Sequence, residues 1–374
     1  MPDKIKVLHV IGKRPRGGVG TFLINMHSNI DTSKVEFDYL INANKNEDGD
    51  FDKIVRNLGG NVFVLPELKY QNTFKYLKDM RDFFSQNNNY QVIHLHTANI
   101  GIFTFAMALK FKIKYRILHS HNTKYSDKKI NSIRNFVMQL PVKKMANIYF
   151  ACSEKAGSFL FGKKNFDDGK VYIAKNAINA NNFRYDEDKR LKVRTKLGFT
   201  DKIVLGHIGR FNIQKNHEFL IEVFKKAYEK NNQCVLVLVG DGELEEYIKE
   251  KVEKLNLQGS VFFLGNRKDV PDLLQAFDVF IMPSFFEGLP LVGIEVQAAG
   301  LPCIMSDSIT DELKIIDTVE FISLEKDPQY WADRVLCKMN DIRKDTYESI
   351  VNAGYDSKKA ASDLGDYYTK LSKS

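Results

Sequence analysis

Short apolar runs alternate with amphipathic stretches along most of this chain, and the alternation predicts its elements. The runs are continuous in Val, Ile and Leu, which indicates strands buried on both faces of a parallel sheet. In the first half the predicted strands are 7–11, 92–96, 115–120, 148–152 and 171–174, with a further strand ending at Asp38. Helical stretches between them favour a doubly wound α/β fold.

The same rhythm stops and begins again near the middle of the chain. A charged stretch with few apolar residues runs from 179 to 201. Beyond it the predicted strands are 203–208, 234–239, 261–264, 279–282, 303–305 and 321–324. Because 374 residues exceed one ordinary core, we predict two Rossmann-like domains, 1–180 and 181–355. The remaining residues, 356–374, are predicted to form a helix that packs back on the first domain.

The composition is that of a folded protein. Hydrophobic residues make up 44% of the chain and charged residues 27%, which excludes disordered and fibrous classes. No apolar run approaches the roughly 18–20 residues of a membrane-spanning helix, and no secretory signal is evident. The four cysteines stand far apart beside apolar runs, which indicates small buried side chains in a reducing cytoplasm.

The formal net charge of +8 is distributed unevenly. Residues 1–180 contain 28 Lys and Arg against 15 Asp and Glu, whereas residues 181–374 contain 27 against 32. The basic half could face a lipid surface, a nucleic acid or a phosphorylated acceptor, or its charge could simply maintain solubility. Since no aromatic platform or known module accompanies the charge, we do not expect a nucleic-acid partner.

One segment of the basic half, between Lys124 and Lys144, has the pattern of an amphipathic helix. Lysines and an arginine flank an apolar face, which Pro141 interrupts. The apolar face consists of Ile130, Ile133, Val137 and Leu140. Such a helix can lie on an anionic membrane, or it can pack on the domain core with its lysines outward.

A glycine-rich turn follows the first predicted strand. Gly17, Gly18 and Gly20 directly precede the helical stretch 21–29. Glycines let the backbone approach a phosphate, and a helix N-terminus offers free N–H groups. The turn lacks the G-x-G-x-x-G order of a dinucleotide fingerprint, so alone it fits an ordinary tight turn equally well.

A second group of polar residues follows strand 203–208. Gly209-Arg210 and Lys215-Asn216 place two cations five residues apart on a loop that enters a helix, with Asn216 as the expected cap. Two such cations could clamp a diphosphate, and each charge-assisted hydrogen bond contributes about 1.5–3 kcal/mol. Solvated surface cations are the alternative interpretation.

The segment 287–302 carries the most specific pattern. Pro290 suits the first position of a helix and Gly300 its C-terminal end, so Glu287 lies in the preceding loop and Glu295 within the helix. Free N–H groups that could hold phosphate oxygens are expected around Gly288, Leu289, Pro290 and Leu291. A carboxylate beside a bound nucleotide would accept hydrogen bonds from sugar hydroxyls.

These motifs together resemble the family-4 retaining glycosyltransferases, whose hallmark is a glutamate pair separated by seven residues, here Glu287 and Glu295. The resemblance extends over nearly the whole chain, through 17–20, 121–122, 153–154, 209–210, 215–216, 239–242 and 263–267. The segments 119–122 and 319–324 look most like bacterial capsular or exopolysaccharide members. The resemblance implies a GT-B fold, in which an N-terminal acceptor domain and a C-terminal donor domain face each other across a cleft.

The resemblance also implies a role for each matching residue. Arg210 and Lys215 would neutralise the departing diphosphate. Glu295 would bind the ribose hydroxyls, and Glu287 would orient the donor sugar and stabilise its anomeric centre. His121 would lie near the donor sugar and the acceptor. The remaining donor-site residues would be Gly17, Gly18 and Gly20 over the phosphates, Gly240 and Asp241, and Arg267 near the nucleobase.

No metal or separate cofactor is expected. The D-x-D pattern at 48–50 lies in a polar loop and is interpreted as solvated. His94 with His96, and His119 with His121, each share one strand face, but no carboxylate stands at a convincing spacing for zinc.

The sequence therefore predicts an enzyme that moves a hexose or N-acetylhexosamine from a nucleotide-sugar, with UDP favoured, to a lipid-linked or saccharide acceptor. Capsular or exopolysaccharide synthesis is the expected setting, in the cytoplasm and peripherally on the inner face of the membrane. Two alternatives stay open. One is a nucleotide-sugar epimerase on the same fold, and the other is a non-catalytic regulator that binds sugar nucleotides.

Overall fold

A computed structural model describes residues 4–15, 18–44, 49–97, 100–121 and 129–373, without the side chains of 129–134 and 373. The chain forms two compact units. The first comprises Met1–Ala177 together with Ser357–Ser374, and the second comprises Ile178–Asp356. The divisions predicted from the sequence, 180/181 and 355/356, lie within three residues of these.

The first unit contains a seven-stranded parallel sheet in the order β3-β2-β1-β4-β5-β6-β7. Its strands are β1 (Ile5–Ile11), β2 (Val35–Asn42), β3 (Val62–Leu65), β4 (Val92–Leu95), β5 (Tyr115–Ser120), β6 (Ile148–Ala151) and β7 (Val171–Ile173). Its helices are α1 (Gly18–Asn29), α2 (Asp50–Asn57), α3 (Thr73–Gln86), α4 (Gly101–Lys110), α5 (Lys129–Met145), α6 (Glu154–Phe161), α7 (Lys163–Asp167) and α16 (Ser357–Lys373).

The second unit contains a six-stranded parallel sheet in the order β10-β9-β8-β11-β12-β13. Its strands are β8 (Ile203–Ile208), β9 (Cys234–Val239), β10 (Val261–Phe263), β11 (Val279–Met282), β12 (Cys303–Ser306) and β13 (Val319–Ile322). Its helices are α8 (Ala180–Phe183), α9 (Glu187–Leu197), α10 (His217–Lys230), α11 (Glu245–Lys254), α12 (Val270–Ala276), α13 (Leu291–Ala298), α14 (Pro328–Lys338) and α15 (Tyr347–Asn352).

Both sheets are buried on their two faces, as the continuous apolar runs predict. In β1, Leu8 packs into one core cluster of the first unit, whereas Val7 packs into a second cluster. In the second unit Val204 and Leu205 divide in the same way. Successive side chains of a strand point to opposite faces, so each run supplies two cores. The predicted pair of Rossmann-like α/β domains is confirmed.

The C-terminal helix α16 belongs to the first unit, where it packs against α1. Its apolar face is fully buried at Ala361, Leu364 and Tyr368. These positions recur three and four residues apart, so they lie on one face of the helix.

The structure corrects several local expectations. Strand β2 continues past Asp38 to Asn42, and the short strand β3, which lies half-buried at the sheet edge, is absent from the predicted set. Helix α5 continues through Pro141 instead of being interrupted there. Cys337 is exposed, because α14 buries the face that carries Trp331 and Val335. Among the described helices, none is long and apolar enough to cross a membrane.

Candidate functional site

The loop after β8 carries the predicted cations on a tightly packed backbone. The Gly209 amide donates to the Val239 carbonyl at 2.9 Å. A Cβ on Gly240, where φ is +138°, would lie 2.1 Å from the Gly209 carbonyl oxygen. A Cβ on Gly209 would lie 3.1 Å from Cδ and Cε of Lys215. The two glycines therefore let the β8 and β9 loops touch and let the lysine stem cross the loop.

A short 3-10 turn, Ile213–Lys215, positions the lysine. The Asn212 side chain caps this turn by accepting from the Lys215 amide at 3.2 Å. Asn216 adopts a left-handed backbone, with φ of +55°, and its side chain makes no capping hydrogen bond to α10. Asn216 therefore occupies the predicted N-cap position of α10, but it forms a backbone corner between the turn and the helix and does not cap the helix through its side chain.

The core of the site is a buried ion pair between Lys215 and Glu287. Lys215 Nζ lies 2.5 Å from Glu287 Oε1, and the two side chains are only 14% and 8% exposed. The other carboxylate oxygen accepts from Gln214 Nε2 at 3.0 Å. Gln214 Nε2 also donates to the backbone carbonyl of Phe286, and the backbone carbonyl of Gln214 accepts from the backbone amide of Phe285. Both carboxylate oxygens are therefore held, and the two loops are joined.

Helix α13 begins directly after the loop that carries Glu287. Pro290, the predicted first helical residue, instead occupies the N-cap position with extended backbone, so α13 begins one residue later, and no side chain caps it. An uncapped helix N-terminus directs its N–H groups and the positive end of its dipole outward. The helix ends at Ala298, and Gly300 follows with a left-handed backbone, as its predicted place at the C-terminal end indicates: φ is +61° and a Cβ would lie 2.1 Å from the Lys344 carbonyl oxygen.

Glu295 lies in the middle of α13, where it is partly buried. This burial raises the pKa of Glu295 to about 7. Among the described residues no cation forms an ion pair with it. A carboxylate in this position needs hydrogen-bond donors that these residues do not supply.

Three of the predicted donor-site residues pair with close neighbours. Arg210, whose side chain is 67% exposed, lies 3.1 Å from the Glu243 carboxylate. Arg267 donates through Nε and Nη2 to Asp269, at 2.8 and 2.6 Å. Asp241 accepts from the Asn266 amide, and its backbone carbonyl accepts from the Phe211 amide. Among the described residues of the second unit, the only two predicted site side chains that bond directly to each other are therefore Lys215 and Glu287.

The glycines of the first unit shape the start of α1. Gly17 lies outside the described residues. The Gly18 carbonyl accepts from Asn176 Nδ2 at 3.2 Å, and a Cβ on Gly20 would lie 3.2 Å from the Pro15 carbonyl oxygen. A cavity of about 420 Å³ opens beside this turn, at the carboxyl ends of β1 and β4. Its lining includes Lys13, Arg14, Asn42, Glu67, His96 and Thr97.

His121 follows β5 and belongs to a cluster of five histidines on one face of the first sheet. The predicted pairs do share a strand face, and β1 adds His9. His121 Nε2 lies 2.8 Å from His96 Nδ1. Burial lowers the pKa of His121 to about 4. The ring nitrogens fall into two groups that could hold a metal ion, His9/His94/His96 and His96/His119/His121, each within 4.8 Å.

Sequence reasoning missed three polar residues at the second site. Gln214 and Asn212 hold the lysine loop, as described above. Ser284, two residues after the end of β11, is fully buried, and within the described part of the chain its hydroxyl has no hydrogen-bond partner. A buried unpaired hydroxyl at a strand end points to a ligand or a water. Only the position of Ser284 after a predicted strand could have indicated it.

Glycosyltransferases are among the known proteins to which this chain is similar. A family model described as glycosyl transferases group 1 matches residues 189–356. The chain is 32% identical over 370 residues to the putative glycosyltransferase EpsF of Bacillus subtilis (strain 168), covering 97% of this chain and 96% of that protein. It is 28% identical over 242 residues, 62% of each chain, to the Escherichia coli UDP-Gal:alpha-D-GlcNAc-diphosphoundecaprenol alpha-1,3-galactosyltransferase.

Among solved structures, Anabaena Alr3699/HepE in complex with UDP matches with a TM-score of 0.72 at 18% identity. The match covers 98% of this chain and 96% of that one, so both units take part. Together with the two parallel sheets, this likeness confirms the predicted GT-B fold class.

Proposed function

Because this chain belongs to the glycosyl transferases group 1 family, and is therefore a glycosyltransferase, we propose that it transfers a hexose or N-acetylhexosamine from a UDP-sugar with retention of configuration. The acceptor is a lipid-linked or oligomeric saccharide in capsule or exopolysaccharide assembly. The Anabaena protein, whose solved structure is a complex with UDP, supports the donor. The Escherichia coli relative, which is named for a diphosphoundecaprenol-linked saccharide, supports the acceptor.

The observation that carries this proposal is the buried pair of Lys215 and Glu287 beside the uncapped start of α13. The site thus offers one buried cation, a helix dipole and one buried carboxylate. A nucleoside diphosphate sugar needs all three, because its leaving group is anionic and its anomeric carbon becomes cationic. Lys215 would turn from Glu287 to the diphosphate, and Arg210, which is exposed, would swing onto it from the adjacent loop.

In the reaction the bond between the anomeric carbon and the diphosphate oxygen breaks, and a bond from the acceptor oxygen to that carbon forms on the same face. The acceptor proton passes to the departing phosphate oxygen. Glu287 would orient the sugar and stabilise the positive charge at its anomeric carbon. Glu295 would accept hydrogen bonds from the ribose hydroxyls, which supplies the donors that its buried carboxyl group lacks.

We propose that no metal takes part, since Lys215, Arg210 and the α13 N-terminus supply positive charge where a D-x-D enzyme would use a cation. Asp48 of the D-x-D pattern lies outside the described residues, and Asp50 begins α2 in the first unit. Turnover that is unchanged by EDTA is the expected result, and rescue of an EDTA-treated enzyme by a divalent cation would contradict it.

The acceptor side belongs to the first unit in this proposal, with His121 and the cavity beside α1. Helix α5 would bring the enzyme to an anionic membrane, because Phe136, Val137 and Leu140 are 44%, 57% and 41% exposed. The basic flank is smaller than predicted, since Lys143 donates to the Leu160 carbonyl at 3.0 Å. Residues 124–128 lie outside the described residues.

The membrane proposal predicts that Val137→Asp reduces flotation with vesicles that contain anionic lipid, because a charge replaces an apolar contact. Leu191→Asp, at an apolar position of similar exposure (58%) in the second unit, is the matched control. Equal flotation of both variants and the wild type would contradict the membrane role of α5.

The donor site is tested by a thermal-shift panel of UDP, GDP, ADP, CMP and NAD, followed by turnover of the corresponding sugar nucleotides. We expect stabilisation by UDP that Glu295→Ala removes, and release of UDP that depends on an added saccharide acceptor. A sugar that changes configuration while it stays on UDP would identify an epimerase. Binding of UDP without any turnover would favour the regulator, and stabilisation by NAD alone would refute the proposal.

A further inference from the structure

The five histidines of the first sheet form hydrogen-bonded ladders across its three central strands. His9 lies on β1, His94 and His96 on and after β4, and His119 and His121 on and after β5. In the first ladder His9 Nδ1 lies 2.9 Å from His96 Nε2, and His96 Nδ1 lies 2.8 Å from His121 Nε2. A second ladder joins His119, His94 and the Tyr368 hydroxyl.

The first ladder allows only two arrangements of its protons. A neutral imidazole carries one N–H donor and one acceptor nitrogen. Each contact joins an Nδ1 to an Nε2, so a proton placed on Nδ1 of one ring leaves the Nε2 of the next ring to accept. All three rings therefore carry their proton on Nδ1, or all three carry it on Nε2. The outward nitrogen of His121, Nδ1, is a donor in the first arrangement and an acceptor in the second.

The inner end of the ladder distinguishes the two arrangements. His9 is fully buried, and within the described residues its Nε2 has no hydrogen-bond partner. The ring contacts Phe37 of β2, edge-on with centroids 4.5 Å apart, and stacks on Tyr39 of the same strand at 5.3 Å. A buried N–H without a partner is rarer in proteins than a buried acceptor without one. His9 Nε2 is therefore the unprotonated nitrogen.

We propose that His96 and His9 are positioning residues that hold His121 as a neutral imidazole with its proton on Nδ1. His121 then offers a hydrogen-bond donor, and not a base, to the ligand oxygen against it. That this oxygen belongs to a sugar or a phosphate rests on the proposed function, whereas the tautomer does not.

Two further observations agree with a neutral ladder. Burial lowers the pKa of His121 to about 4 and that of His9 to about 3. An imidazolium at His121 would donate from both nitrogens, which is incompatible with a donating His96 Nδ1. A divalent metal would compete with the ladder, because His96 belongs to both histidine groups and both of its nitrogens are already in contact with other rings.

The tautomer is measured directly on the full chain with histidine-selective 15N labelling and a two-bond 1H–15N correlation near neutral pH. The chain has eight histidines, and the signals of His121 are identified by their loss in His121→Gln. We expect a protonated-type Nδ1 and an unprotonated-type Nε2 for His121. The reverse pattern in the wild-type protein, or Zn²⁺ binding that His96→Asn abolishes, would overturn the proposal.

Two variants of His96 that are isosteric with each other, His96→Asn and His96→Asp, test its role. The amide of His96→Asn can still donate to His121 Nε2, so His121 keeps its proton on Nδ1. The carboxylate of His96→Asp can only accept, so the proton of His121 moves to Nε2. The same tautomer in both variants would refute a positioning role. Should His96→Asp not fold, His9→Asn, which keeps the donor to His96, is compared with His9→Phe, which removes it.

Activity separates this proposal from the proposed function. We expect His96→Asp to lower kcat about tenfold or more while stabilisation by UDP is unchanged, and His96→Asn to stay much closer to wild type. If the two variants have the expected tautomers but equal kcat, the Nδ1–H of His121 has no role in turnover. That result would overturn the proposed use of His121 as a hydrogen-bond donor. A wild-type protein with the expected tautomer but no transferase activity would refute the proposed function and leave the ladder assignment intact.

Discussion

Glu287 and Lys215 neutralise each other, and this makes their separate removal informative. At 2.5 Å the gross attraction is about 7 kcal/mol for an effective dielectric constant of ~20. Desolvation offsets most of it, but removing one partner leaves the other charge buried, which costs about 3–5 kcal/mol. We therefore expect Glu287→Gln and Lys215→Met each to destabilise the ligand-free protein. The double variant should be destabilised by less than the sum of the two.

The two single variants should respond to UDP in opposite ways. Glu287→Gln keeps the shape and the Gln214 contact but releases Lys215, so a diphosphate no longer competes with the carboxylate. UDP should then restore more of the lost melting temperature in Glu287→Gln than in Lys215→Met, which has no cation to offer. Both variants should lose turnover, by about 10²–10³-fold for a preorganised charge partner.

The assays are thermal melts with and without UDP, and steady-state transfer from the preferred UDP-sugar. Loss of UDP stabilisation in Glu287→Gln to the same degree as in Lys215→Met would refute the idea that the carboxylate competes with the diphosphate. Turnover of either variant within tenfold of wild type would remove that residue from the catalytic site. Destabilisation of the double variant equal to the sum would show that the two charges are not coupled.

Three further predictions concern single positions. Because the raised pKa of Glu295 disfavours its carboxylate in the fold, the wild type should lose stability relative to Glu295→Gln as the pH rises from 4.5 to 7. The loss should reach up to about 3 kcal/mol in urea melts and should not increase above pH 7. A stability difference between the two proteins that does not change with pH would contradict this prediction. Gly209→Ala should weaken UDP stabilisation by displacing the buried lysine stem, whereas Gly259→Ala, with open space around its Cβ, should not; equal shifts would refute the steric argument. Tyr368→Phe should lower the free energy of unfolding by about 1–3 kcal/mol, because it leaves a nitrogen of buried His94 without its partner, and an unchanged urea midpoint would argue against that bond.

Much of the fold could be predicted because its strands are buried on both faces. The run Cys234–Val239 is continuously apolar and short, which favours a buried strand, and the structure confirms its bounds. The predicted strand 321–324 instead lies at Val319–Ile322. Strand β3 lies half-buried at the edge of the sheet. Its four residues are all apolar, like those of the predicted strand β11, so the pattern supports this strand and the prediction overlooked it.

The candidate site was predictable in its backbone and less so in its pairings. Pro290 and Gly300 delimit α13 through the conformational preferences of proline and glycine, which can be inferred from residue type alone. That Lys215 bonds to Glu287, 72 residues away, depends on two strand-end loops meeting at one sheet edge. Asn216 does occupy the N-cap position, but its left-handed backbone and its lack of a side-chain capping bond could not be predicted from residue type.

The histidine ladder also depends on a long-range pairing that the sequence does not reveal, but the structure makes its proton positions predictable. Alternation along a strand places His94 with His96, and His119 with His121, but it says nothing of which strands are neighbours. The sheet order puts β1 and β5 on either side of β4, so His9 joins the cluster only through topology. Once the order is known, the nitrogen contacts allow just two proton arrangements. A long-range pairing that sequence cannot give thus becomes a statement about a single proton on His121.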